Sequence, residues 1–276
     1  MLGAICGDII GSYYENRCTK EYDFELFRRE STFTDDTVLT VAVCDTILYD
    51  DTPISGFFGK KMRARDYAER YKHFYYRHPH AGFGQMFSEW VRSNELYRQN
   101  SYANGAAMRV IPIAYAYNDI KQVMLQAKCS AAFTHAHKEA ISGAQVIAAT
   151  CFLALNKYSK DEIKQYLAKH FRIKFKHTLD EIRPSYVFNS RTNYCIIPAV
   201  LSFIESSDYE DAIRKAISLG GDSDTIATMT GGIAEAFYGE IPQYIKDKCW
   251  GLLDIGLRNI VKKFIEKYPA PNAGHN

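Results

Sequence analysis

Residues 2–14 read LGAICGDIIGSYY, and this stretch decides the fold. Gly3, Gly7 and Gly11 recur at every fourth position, so they share one face of a helix. That face carries no side chains, which lets the backbone of another helix approach closely. Most of the remaining positions are apolar. We therefore predict a buried helix at the centre of the protein, against which later helices pack.

Composition indicates one globular domain. Of the 276 residues, 47% are hydrophobic and 24% are charged, values close to the average for a folded domain. The net charge of +2 does not by itself imply a polyanionic partner. No apolar run has the length of a membrane span and the start lacks the basic segment of a secretory signal, so we expect a cytoplasmic protein. The domain is expected to span residues 1–268, with a flexible tail at 269–276.

The cysteines do not predict a zinc site or a disulfide framework. They are odd in number, dispersed, and without a C-x-x-C pair. We interpret them as reduced residues in apolar surroundings: Cys6, Cys18, Cys44, Cys129, Cys151, Cys195 and Cys249.

Apolar periodicity is helical along nearly the whole chain. After the first helix it predicts helices at roughly 35–49, 60–75, 83–98, 104–117, 119–131, 137–156, 160–170, 195–205, 208–219, 225–238 and 242–267, the last broken near Gly251. The best strand candidate is short, at 172–177. The predicted fold class is therefore all-α, a single domain of orthogonally packed helices.

Two acidic segments that also contain hydroxyl groups lie far apart in the chain. The first is Thr34-Asp35-Asp36-Thr37, and the second, residues 220–225, reads GGDSDT. Either segment alone is typical of an ordinary helix N-cap with acidic residues in the first turn. Carboxylates and hydroxyls are also the hard oxygen donors that bind Mg²⁺, Mn²⁺ or Ca²⁺.

If the two segments converge, their charges require compensation. Like charges about 4 Å apart repel by roughly 4 kcal/mol per pair at an effective dielectric constant of 20. Two divalent cations would nearly cancel five carboxylates, so the charge count favours a binuclear site. The carboxylates concerned are Glu15, Asp35, Asp36, Asp222 and Asp224.

Residues 101–109, SYANGAAMR, have the pattern of an anion-binding loop. Small residues lead into a predicted helix N-terminus, where backbone N–H groups can bind a phosphate or diphosphate, and Tyr102 offers a ring for a base. The alternative is a loop and N-cap before a buried helix. Residues 60–77 interleave basic and aromatic residues, but their apolar spacing favours an amphipathic helix with a solvated basic face over a nucleic-acid site.

Together these segments resemble the ADP-ribosylglycohydrolase family, which includes the dinitrogenase-reductase-activating glycohydrolases and the vertebrate ADP-ribosyl-acceptor hydrolases. The resemblance covers nearly the whole chain and departs from the family at Ala103, where glycine is usual. Residues 12–15, SYYE, look more like the serine- and O-linked hydrolases than the arginine-specific ones. The resembling segments are 3–15, 33–37, 101–109, 134–135 and 220–232.

The resemblance implies an all-α hydrolase that binds two Mg²⁺ ions, or Mn²⁺, and cleaves the glycosidic bond between ADP-ribose and an acceptor. The implied catalytic residues are Glu15, Asp35 and Asp36. The implied metal ligands are Thr34, Asp35, Asp36, Asp222, Asp224 and Thr225. The implied substrate-binding residues are Ser101, Tyr102, Ala103, Asn104, Gly105 and His135.

Two other functions stay open at this point. A two-metal phosphoesterase could use the same oxygen ligands to cleave the diphosphate of an ADP-ribose-like molecule, and a catalytically silent protein could bind ADP-ribose on the same scaffold. The expected partner is an ADP-ribosylated protein or another ADP-ribosylated acceptor. We expect a monomer that binds neither a membrane nor unmodified nucleic acid, and ADP-ribosylated nucleic acid stays open as an acceptor.

Overall fold

In a computed structural model of the protein, which describes residues 1–270, the chain is helical, and the all-α prediction is confirmed. The last six residues of the predicted tail, 271–276, lie outside the described part. The described residues form 14 α-helices: α1 Leu2–Glu15, α2 Asp35–Tyr49, α3 Gly56–Arg77, α4 Gln85–Arg92, α5 Ile111–Ala116, α6 Ile120–Ala131, α7 Lys138–Leu155, α8 Lys160–Phe171, α9 Leu179–Ile182, α10 Thr192–Ile204, α11 Tyr209–Ile217, α12 Ser223–Tyr238, α13 Gln243–Leu252 and α14 Ile255–Lys267.

The glycine face of α1 packs against α12, as the sequence predicts. A Cβ atom added to Gly7 would lie 2.1 Å from the carbonyl oxygen of Ala227, and one added to Gly3 would lie 2.4 Å from that of Gly231. Only glycine permits such an approach of two helix backbones. Most residues of α1 and α12 are buried, so these two helices lie at the centre of the core.

One helix, α7, has the length and the mean hydropathy of a candidate membrane span. Because 67% of this segment is buried inside the protein, it serves here as a core helix. A close contact of Gly143 on α7 with Thr192 on α10 shows how tightly it is enclosed.

Three predicted elements differ from the structure. The predicted strand at 172–177 is wrong: Arg172 adopts a left-handed conformation (φ 58°) that ends α8, and within residues 1–270 only isolated β-bridges occur. The predicted helix at 104–117 is divided into a 3-10 turn, Asn104–Ala106, and α5. The predicted helix at 83–98 stops at Arg92, because Ser93 is extended.

The C-terminal helix is broken close to the predicted position. Gly251 lies inside α13, and the break falls at Leu253 and Asp254. The Asp254 carboxylate accepts a hydrogen bond from the backbone N–H of Leu257 (2.9 Å), so it caps the start of α14.

Candidate metal centre and substrate cleft

The glycine face of α1 brings a carboxylate into the core. Asp8, which follows Gly7, is fully buried and faces the start of α2. It accepts hydrogen bonds from the backbone N–H (2.9 Å) and hydroxyl (2.6 Å) of Thr34 and from the backbone N–H of Thr37 (3.1 Å). Asp8 therefore fixes the first turn of α2 against α1. No sequence motif marks Asp8 as a site residue, although it is the one charged residue within residues 2–14.

The first turn of α2 in turn contacts α12. Thr34 is the N-cap, and its hydroxyl oxygen accepts from the backbone N–H of Asp36 (3.2 Å). The buried Asp36 carboxylate accepts hydrogen bonds from the hydroxyls of Thr225 (3.3 Å) and Thr228 (3.1 Å) on α12. The two acidic segments, nearly 190 residues apart, therefore meet through direct side-chain contacts.

The loop before α12 is shaped by glycine and held by a lysine. Gly221 has φ +108°, in the region that favours glycine, and this turn directs Asp222 and Asp224 inward. The Lys20 ammonium donates to the carbonyl oxygens of Tyr186 (2.5 Å) and Leu219, which ties the loop to the chain after α9. The Asp222 carboxylate accepts a hydrogen bond from the Asn104 side-chain amide (2.8 Å).

The buried carboxylates form two groups that share one member. Oxygen atoms of Asp8, Asp36 and Asp224 lie within 4.8 Å of one another, and so do those of Glu15, Asp222 and Asp224. Asp224 thus lies between two clusters, each of a size to hold one cation. All the donors are hard oxygens, which fit Mg²⁺, Mn²⁺ or Ca²⁺.

The electrostatics of the cluster favour cation binding. Burial, followed by the charges of Asp8 and other carboxylates, raises the pKa of Asp36 well above its usual range, and burial raises that of Asp224 in the same way. Burial together with Asp8, Asp222 and Glu15 raises the pKa of Asp35 to about 8. No lysine or arginine of the described chain lines the cleft above these acids. Positive charge supplied from outside would allow all of them to ionise.

Two predicted ligands stand apart from the two groups. Asp35 lines the cleft near Gly82 but belongs to neither three-carboxylate group. The Thr34 hydroxyl already contacts Asp8 and the N–H of Asp36, and Thr34 does not line the cleft. The remaining predicted ligands, Asp36, Asp222, Asp224 and Thr225, line its floor.

A cleft of about 370 Å³ opens above the acids. Five of the predicted substrate residues line it, namely Ser101, Ala103, Asn104, Gly105 and His135. The cleft is also lined by residues that belong to no recognisable sequence motif: Met86 on α4, and Gln99, Phe188 and Ser190 on irregular segments.

Tyr102 lies beside the cleft rather than in its wall. Its ring is 56% exposed, 5.9 Å from the ring of His137 and 5.8 Å from the guanidinium of Arg191. Its chain neighbours Ser101 and Ala103 line the cleft.

His135 presents a neutral imidazole to the cleft. Burial, with the nearby charge of Arg109, lowers its pKa well below the usual range. Its Nδ1 lies 2.8 Å from the Thr134 hydroxyl, which also accepts a hydrogen bond from Arg109 (2.7 Å). Its Nε2 faces Gly105, where an added Cβ would lie 3.0 Å away. The imidazole therefore forms a polar wall directly beside the backbone of Gly105.

Known proteins are similar to this chain over most of its length. The sequence profile of the ADP-ribosylglycohydrolase family matches residues 1–272. The chain is 27% identical to the ADP-ribosylhydrolase ARH3 of Homo sapiens over 91% of this chain and 88% of that protein. It is 24% identical to the ADP-ribosylarginine hydrolase Tri1 of Pseudomonas putida (strain GB-1) over 91% of this chain and 73% of that protein.

A solved structure has the same fold. A protein described as "ADP-ribosylglycohydrolase-related protein complex" superimposes with a TM-score of 0.69 at 21% identity, covering 96% of this chain and 95% of that one. The match to the family profile from residue 1 to residue 272 establishes that this chain belongs to the ADP-ribosylglycohydrolase family.

Proposed function

We propose that the protein is a metal-dependent hydrolase that removes ADP-ribose from a modified acceptor by cleaving the glycosidic bond at the distal ribose. The observation that carries this proposal is the pair of three-carboxylate groups that share Asp224 at the floor of the cleft. ADP-ribosyl hydrolases among the relatives support the substrate class.

Two Mg²⁺ ions, or Mn²⁺, are the proposed cofactors. Asp8, Asp36 and Asp224 would surround one ion, and Asp222 and Asp224 would hold the other, with the Glu15 carboxyl beside it and free to carry a proton. We keep Thr34, Asp35 and Thr225 as proposed additional oxygen ligands. When bound, such ions polarise ribose hydroxyls and lower the pKa of bound water.

The side chains of the cleft supply the remaining functions. Asp35, which lines the cleft outside both groups, would orient the attacking water and accept its proton. Glu15, at the end of α1, is only partly buried, so it can exchange protons with solvent and protonate the leaving acceptor atom. Water attacks the anomeric carbon as the bond to the acceptor breaks, through an oxocarbenium-like transition state.

The cleft walls bind the rest of ADP-ribose. The backbone at Ala103 to Gly105 approaches the ligand closely, since no bulky side chain intervenes, and neutral His135 offers a hydrogen bond without adding charge. The side chain of Asn104 is directed at Asp222, so it positions a carboxylate rather than the diphosphate.

Product analysis tests the proposal. Peptides that carry ADP-ribose on serine or on arginine are incubated with the protein and Mg²⁺, and the products are separated by mass spectrometry. Release of free ADP-ribose together with an unmodified peptide is expected. Release of AMP with ribose phosphate left on the peptide would indicate a phosphoesterase instead, and binding without turnover would indicate a silent ADP-ribose-binding protein.

A further inference from the structure

A second, larger cavity of about 1020 Å³ lies apart from the cleft, between α3 and α6. We call it the α3–α6 groove. Its floor is apolar and is formed by Ala64, Leu96, Leu125, Ala132 and Phe133. Phe57 lies at one end with 74% of its surface exposed. The proposed hydrolysis does not use any of these residues.

The rim of this groove is strongly basic. Six cationic side chains line it against two acidic ones, although the whole chain has a net charge of only +2. Within residues 1–270, Arg65 alone among the six forms an ion pair, with Glu69. The cations are Lys60, Lys61, Arg65, Lys72, Arg98 and Lys128.

The groove and the cleft are both lined by residues of the same two paired segments. The backbone N–H of Gln99 donates to the carbonyl oxygen of Phe133 (2.7 Å), and that of Ala136 donates to the carbonyl oxygen of Gln99 (2.8 Å). Along these segments Arg98 and Phe133 line the groove, whereas Gln99 lines the cleft. A single acceptor chain can therefore reach both cavities.

We propose that the α3–α6 groove binds an acidic, amphipathic helical segment of the ADP-ribosylated acceptor protein, an inference that rests on the proposed function. Its charge is complementary to an acidic ligand, and its apolar floor between two helices matches the groove that takes the apolar face of a third helix. Single-stranded nucleic acid would require a row of exposed aromatic rings for stacking. The floor is largely aliphatic, so a peptide fits it better.

Peptide binding tests the groove independently of catalysis. The probe is an unmodified, fluorescently labelled helix of about 15 residues, roughly 22 Å long, with leucines spaced i, i+3, i+4, i+7 and glutamates elsewhere. The double variant K61E/K128E should weaken its binding by at least about tenfold in fluorescence anisotropy, because both exposed rim charges are reversed. The matched control, K248E/K263E, reverses two exposed lysines on α13 and α14 and should leave binding unchanged.

Competition experiments distinguish the helical peptide from other possible ligands of the groove. A scrambled peptide of the same composition should compete poorly, because its leucines no longer form one face. The proposal would be overturned if single-stranded DNA of equal charge, or vesicles of anionic lipid, bound more tightly than the peptide. It would also be overturned by a concentration-dependent dimer that occludes the groove. Equal affinity of K61E/K128E and K248E/K263E for the peptide would overturn it as well.

Turnover separates this inference from the proposed function. With an ADP-ribosylated amino acid as substrate, K61E/K128E should retain wild-type kcat and KM, because neither lysine lines the cleft. With the same modification placed on the acidic helix, KM should rise about tenfold while kcat stays constant. Unchanged KM on the peptide substrate refutes the groove, whereas absence of hydrolysis of either substrate by the wild-type protein refutes the proposed function.

Discussion

Replacing Asp224 by asparagine should stabilise the metal-free protein while it abolishes catalysis. Asp224 is the one carboxylate shared by both groups, so its charge faces Asp8, Asp36, Glu15 and Asp222 at distances of up to 4.8 Å. At that distance and an effective dielectric constant of 20, each fully ionised pair repels by about 3.5 kcal/mol.

The net gain in stability is smaller than this sum. Burial, with the charges of Asp36 and its neighbours, raises the pKa of Asp224 well above its usual range, so protonation already relieves part of the repulsion. We expect the free energy of unfolding to rise by about 1–4 kcal/mol, and each kcal/mol should raise Tm by roughly 2–4 °C. With Mg²⁺ present the sign reverses, because the variant loses a ligand from both groups and with it the stabilisation by binding.

Thermal unfolding and product release measure these effects. In EDTA the Asp224→Asn variant should melt at a higher temperature than the wild type. In millimolar Mg²⁺ its Tm should not rise further, and turnover should fall by roughly a thousand-fold. Asp222→Asn, which changes only one group, should keep part of the Mg²⁺-dependent shift. A lower metal-free Tm, or a full Mg²⁺ shift in Asp224→Asn, would refute the role of Asp224 as a shared ligand.

Three further predictions concern single side chains of the site. Burial and neighbouring carboxylates raise the pKa of Asp35 to about 8, so ionisation of this carboxyl destabilises the metal-free fold as the pH rises from about 4 to 8. Asp35→Asn should therefore raise Tm in EDTA at pH 8–9 but not at pH 4–5. A difference in Tm that does not depend on pH would contradict this prediction. Gly105→Ala should weaken ADP-ribose binding in calorimetry, because the new Cβ lies 3.0 Å from His135 Nε2. The control Gly251→Ala, whose Cβ would meet nothing within 4 Å and which does not line the cleft, should leave binding unchanged. Tyr102→Ala removes an exposed ring beside the cleft. It should weaken ADP-ribose binding by roughly ten- to a hundred-fold at unchanged Mg²⁺ affinity, since stacking contributes about 1–3 kcal/mol. Unchanged ADP-ribose affinity would mean that the adenosine binds elsewhere.

Local periodicity was sufficient for most helices and insufficient where tertiary contacts override it. The predicted helix at 104–117 is interrupted around Arg109, whose buried guanidinium lies 4.0 Å from the ring of Tyr71 and donates to Ser130 and Thr134. A buried arginine is held by partners distant in sequence, which periodicity does not reveal. The predicted strand at 172–177 has alternating apolar residues, but within residues 1–270 no neighbouring strand is present with which it could pair.

The sequence predicts which segments form the site, but it does not predict which side chains of those segments meet. Composition pointed to both acidic segments, and the structure brings them together. Which member of Thr34-Asp35-Asp36 joins the buried carboxylate groups depends on how α2 meets α1, and Asp8 holds that contact by its hydrogen bonds to the first turn. Asp8 went unassigned because a lone acid in a helix has no motif until its partners are known.

Fold and site in this protein rest on the same residues. The Gly7 contact with Ala227 holds α1 and α12 at backbone distance, and one residue further along α1 Asp8 reaches the carboxylates of Asp36 and Asp224. A larger side chain at Gly7 would separate the helices and so move Asp8 and Glu15 on α1 away from Asp224 on α12. The mutual repulsion of these buried acids lowers the stability of the fold, and the close packing of α1 on α12 offsets that cost. The close helix contact that was first evident in the glycine spacing is therefore what allows this chain to concentrate so much negative charge in its core.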